Sequence, residues 1–119
     1  MRFSTRVASI LATMIILGAM SATAFAARSH SVAKSVTVTA SEFKFKLSTS
    51  SVPHGAVTFT VVNKGALPHD FKIAGHKTPL IKPGKSAKIA VTLKKGKLAY
   101  VCTVAGHAAA GMKGTLTVK

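Results

Sequence analysis

Apolar residues recur at every second position in short runs broken by turn residues, and this constrains the chain more than any other feature. From Lys34 onward, Val36 and Val38 alternate with threonines, and Phe43, Phe45 and Leu47 alternate with Lys44 and Lys46. Val57, Phe59 and Val61 repeat the pattern, as do Ile89, Val91 and Leu93, then Leu98, Tyr100 and Cys102, and finally Leu116 and Val118. Successive side chains of a strand point to opposite faces, so period two means one face on a core and the other in water. Turn signals part the runs: Pro53-His54-Gly55, Asn63-Lys64-Gly65, Lys82-Pro83-Gly84-Lys85 and Lys94-Lys95-Gly96. Asp70 to Ala74 is expected to add one more short strand. About seven or eight strands at this spacing predict an all-β sandwich or barrel. Phe43, Phe45, Phe59, Phe71 and Tyr100 are read as its core aromatics.

The N-terminus has a different pattern. Arg2 and Arg6 precede an apolar run over residues 7–20, which gives way to small residues ending in Ala24-Phe25-Ala26. A basic start, a short apolar stretch and an A-x-A site predict a cleaved signal peptide over residues 1–26. The run is shorter than the roughly 20 apolar residues that cross a bilayer. Residues 27–33 then form a polar leader and residues 34–119 a single small domain. The expected location is outside the cytoplasm, in a periplasm or the extracellular space. A domain of this size buries only about 60–65% of its unfolded surface, so a bound metal would add useful stability.

Outside the N-terminal segment, 15 of the 17 lysines and arginines face only Glu42 and Asp70, a net charge near +13. A field of that strength attracts acidic proteins or anionic membranes, and export argues against nucleic acid. The lysines are scattered along the chain, so simple solvation of outer faces is the competing reading.

Exported proteins use cysteines in pairs, yet this chain has one, Cys102. Its neighbours suggest why. His107 follows five positions on and Met112 five further, with Gly106 and Gly111 in the loop between two strands. One tight loop can aim a thiolate, an imidazole and a thioether at a common point, and His69, after Pro68, is the natural source of a fourth donor. Two imidazoles, one thiolate and a weak axial thioether form the ligand set of a type 1 copper site. Thiolate and thioether suit Cu(I), and imidazole also accepts Cu(II), so such a site reorganises little when an electron moves. His30, His54 and His76 are read as solvated, with a second surface metal at His54 and His76 as the minor alternative.

The segment from Tyr100 to Val118 resembles the ligand loop of plastocyanins, pseudoazurins and related small cupredoxins, and Pro68-His69 resembles their upstream histidine loop. The V-P-x-G-x-V-T-F stretch from Val52 to Phe59 extends the likeness over most of the domain. The resemblance implies a cupredoxin-like Greek-key sandwich or barrel with His69, Cys102, His107 and Met112 as the ligands of one copper. It also implies that Asp70 and Thr103, each following a ligand, hydrogen-bond across the two loops. Ala105 stands where relatives often have proline, and Asp70 where plastocyanin has asparagine.

The expected function is one-electron transfer between redox proteins by a monomer. An acidic partner is favoured by the charge, and a weak contact with an anionic membrane surface is a further option. Copper delivery is the alternative; a single methionine beyond the N-terminal segment argues against it, because delivery proteins favour open, methionine-rich sites. An enzyme is not expected, because copper oxidases need further clustered histidines.

Overall fold

In the computed structural model, residues 34–119 are described; the signal segment and leader expected over residues 1–33 lie outside the described residues. The alternating runs become strands. β1 (Lys34–Ser41) buries Val36, Val38 and Ala40, and β4 (Gly55–Asn63) buries Val57, Phe59, Val61 and Asn63. Between them lie two short strands, β2 (Lys44–Leu47) and β3 (Ser51–Val52). The hairpin of β5 (Lys72–Ile73) and β6 (His76–Lys77) follows, where one short strand was expected. Then come β7 (Ser86–Leu93), β8 (Gly96–Val101) and β9 (Lys113–Val118). Among the described residues every named element is a strand, and no helix is long and apolar enough to cross a membrane.

The nine strands form two sheets, ordered β2-β1-β4-β7 and β3-β9-β8-β5-β6, which make the expected all-β sandwich. Most neighbours are antiparallel, but β1 runs parallel to β4 and β3 parallel to β9. Period two reports which face a residue takes and nothing about strand direction, so these pairings were hidden from the alternation.

The inward faces meet around aromatic rings. Phe71, fully buried, has its centroid 5.4 Å from that of Phe59 on the opposite sheet and 5.6 Å from that of Tyr100. Phe45 meets Phe71 edge-on at 5.2 Å. Edge and tilted arrangements suit the ring quadrupoles and fill the gap between the sheets. Phe71 lies two residues after His69, so the core fixes the segment that carries this histidine. Phe43 departs from its expected core role. It sits in the turn between β1 and β2, is 37% exposed, and presents its ring edge-on to His107 with centroids 5.0 Å apart. The alternation runs through Phe43, but the turn lifts that residue out of the strand.

Candidate metal centre

Asn63 sets the segment that carries His69. It ends β4 fully buried, where an unpaired amide would be costly. Its Nδ2 donates to the carbonyls of Leu67 and Ile81, both at 2.8 Å, and its Oδ1 accepts from the Gly65 amide at 2.8 Å. The 64–68 segment is thereby folded back over the strand end. His69 then pairs with Ile81 in both directions, its amide donating at 3.1 Å and its carbonyl accepting at 2.7 Å. With both backbone groups held and no exposed surface, the imidazole has little freedom.

The second segment starts where β8 ends. The Cys102 amide donates to the Met112 carbonyl at 3.0 Å, closing the loop at its base. Within it, His107 N–H donates to Val104, and Met112 N–H to His107, each at 3.1 Å. Gly106 and Gly111 take φ of +81° and +113°, conformations that a residue with a Cβ adopts only at a cost. Two glycines thus let the segment from Cys102 to Met112 wind into consecutive turns and return to the sheet.

The two segments bring three donors together. His69 Nδ1 lies 3.1 Å from His107 Nδ1, which lies 3.6 Å from Cys102 Sγ. All three donor atoms fall within 4.8 Å of one another, and all three residues are buried. A first-row ion with bonds of about 2.0–2.3 Å spans separations of this size. Soft thiolate with two borderline imidazoles fits copper in both of its common oxidation states. Met112, the remaining expected ligand, is fully buried and sits on the backbone beside Cys102. His54 and His76 are exposed; the His54 ring is engaged with the Lys119 carbonyl at 2.9 Å.

Asp70 joins the loops as the resemblance implied. Its Oδ1 accepts from the Thr103 amide at 2.6 Å, and its Oδ2 accepts from the Thr103 hydroxyl. Burial pushes the Cys102 thiol up, opposed by hydrogen bonds from the Asp70 and Val104 amides.

Sequence reasoning missed Glu42. Its Oε1 accepts from the amides of Ala66 and Leu67, each at 2.8 Å, and lies 3.2 Å from His69 Nε2. The Leu67 amide is the main cause that holds its carboxyl below the usual range, with its own amide, His69 and Ala66 adding and partial desolvation opposing. Gly65 is glycine for this reason: a Cβ there would run into the Glu42 carboxylate. The available signal was scarcity. Outside the N-terminal segment the chain has two side-chain carboxylates, Glu42 and Asp70, and each is tied to a segment that carries one of the clustered donors.

Residues 10–118 match the family model described as a cupredoxin-like domain, and the chain belongs to that family. Its fold is similar to that of dithionite-reduced auracyanin from the photosynthetic bacterium Roseiflexus castenholzii. The TM-score is 0.63 at 19% identity, over 73% of this chain and 98% of that one. Auracyanin B is similar at the same TM-score of 0.63 and 23% identity, over 73% of this chain and 89% of its own. No curated protein matches the chain.

Replacing Asn63 tests how the first segment is held. Asn63→Ala removes the partners of the Gly65 amide and the Leu67 carbonyl, and should cost about 1–3 kcal/mol of unfolding free energy in a urea titration. A loss below a few tenths of a kcal/mol would show that other contacts hold the segment.

Proposed function

We propose that this protein is a one-electron carrier of the blue-copper kind that works outside the cytoplasm. In this reading His69, Cys102, His107 and Met112 hold one type 1 copper. The observation that carries it is the buried cluster of one thiolate and two imidazole donors within 4.8 Å, set on a cupredoxin-like domain. Copper bound there supplies a couple between Cu(I) and Cu(II). The protein's part is to hold the donors in one geometry, to exclude water, and to present one edge of the site to a partner. Asp70 and Thr103 lock the loops together, and the Asn63 bracket and the Ile81 bridge fix His69. Burial keeps solvent from Cys102, which is 1% exposed.

His107, at 8% exposed, is the least enclosed of the four and supplies the presenting edge. It is followed by Ala108, Ala109 and Ala110, and Phe43 packs against its ring. The exposed large apolar residues among those described are Phe43, Leu67 and Leu80. Each lies close in chain or space to His69 or His107: Leu67 precedes His69 by two residues, and Leu80 adjoins Ile81, the partner of His69. A small apolar rim of this kind suits the brief, weak encounters of electron transfer. A closed, buried donor set also favours carriage over delivery, which needs an exchangeable site.

Adding Cu(II) to the purified apo-protein should give an intense visible band at one equivalent, bleached by reductant and restored by oxidant. Cys102→Ser should lose that band and keep its fold, because the chain has no other thiol. A serine variant that stays blue would refute the assignment.

The charge gives a second expectation. A net charge near +13 beyond the N-terminal segment should steer an acidic redox partner, so that rate falls as salt screens a field with a Debye length of about 10 Å at 0.1 M. Self-exchange between two copies should instead speed up with salt. A flat salt dependence with acidic proteins would leave the lysines as solubilising charge and recognition to the apolar rim.

A further inference from the structure

We infer that Glu42 is a positioning residue for the copper site: its carboxylate accepts the His69 Nε2 proton, commits Nδ1 to the metal, and sets the reduction potential low. The inference rests on the copper reading above and deepens it.

A carboxylate has no proton to donate, so the nitrogen facing Glu42 Oε1 at 3.2 Å must be the protonated one. The two remaining donors to Oε1 are backbone amides at 2.8 Å, so the oxygen is held in place independently of the histidine. With Nε2–H directed at Glu42, the Nδ1 lone pair of His69 is left facing His107 and Cys102, where the three donors converge. The tautomer that binds a metal is thereby selected. A hydrogen bond from the outer nitrogen to a carboxylate also raises the basicity of the inner one, as in other carboxylate–histidine–metal arrangements.

The same carboxylate bears on the charge of the site. The His69 ring is fully buried and the Glu42 side chain is 31% exposed, so water screens the pair only in part. A negative charge one imidazole away from copper stabilises Cu(II) more than Cu(I), which lowers the potential. In a chain this basic, the effect opposes the surrounding lysines. Gly65 belongs to the same device, because a Cβ there would displace the carboxylate.

Glu42→Gln separates charge from shape. Its amide oxygen can accept the same three hydrogen bonds, so the fold and the visible band should persist. Cu(II) affinity should fall about tenfold relative to Cu(I), which for a one-electron couple is an upward shift of about 59 mV. Gly65→Ala, which leaves the charge in the chain but pushes it away, should move the potential in the same direction. A merely structural Glu42 predicts no shift in the glutamine variant, and an unchanged potential would overturn the inference. Nitrogen-15 NMR of the wild-type apo-protein is the second readout, with His69 expected to carry its proton on Nε2. Finding the proton on Nδ1 would also overturn it. Wild-type protein that never turns blue would refute the copper reading itself, and the tautomer would then still decide whether Glu42 positions His69.

Discussion

The hydrogen bonds from Thr103 to Asp70 tie together two segments that are 33 residues apart in sequence, and the site depends on that tie. His69 immediately precedes Asp70, and Cys102 immediately precedes Thr103. Fixing the second residues of the two pairs therefore fixes the spacing of the first. Around this tie the remaining restraints fall into place. The Ile81 bridge holds His69 from behind, and the Met112 carbonyl holds the Cys102 amide from below. Each restraint is a hydrogen bond to a buried or half-buried group, and such groups are costly to leave unpaired. The loops are consequently rigid where the chemistry needs them to be, although they are loops.

The core supports the same arrangement from the other side. Phe71 belongs both to the His69 segment and to the aromatic cluster between the sheets, so packing energy and site geometry share one residue. Its amide donates to Thr78 Oγ1 at 3.1 Å, which settles a polar group that the core would otherwise leave unpaired. The β1–β2 turn closes the opposite flank, with Glu42 against His69 and Phe43 against His107. Adjacent residues of one turn thus touch both imidazoles.

Much of this was legible in the sequence, for identifiable reasons. Alternation in Val36–Val38, Val57–Val61 and Ile89–Leu93 follows directly from one-sided burial, so the strands and their inward faces were readable. Cys102 and His107 sit five residues apart within a single loop, so chain length alone limits how far their side chains can part. His69 needed chemistry as well as spacing, because its approach to His107 is set by the Asn63 bracket and by tertiary pairing with Ile81. Glu42 was not readable. Its partners, Leu67 and His69, are 25 and 27 residues away, and neither periodicity nor a turn motif links them. The parallel pairing of β1 with β4 escaped for a similar reason, since alternation carries no direction.

A chain rich in lysine has placed both of its side-chain carboxylates against the segments that carry His69 and Cys102, so the protein's own hydrogen bonds should define the donor geometry. Comparison of crystal structures of the apo-protein and the copper-loaded protein tests this most directly. If the restraints act as described, the donor atoms of His69, Cys102 and His107 should superpose within about 0.5 Å, the tolerance expected of a preorganised site. A loop from Cys102 to Met112 that refolds on copper binding, or a His69 ring that turns away from Glu42, would contradict it.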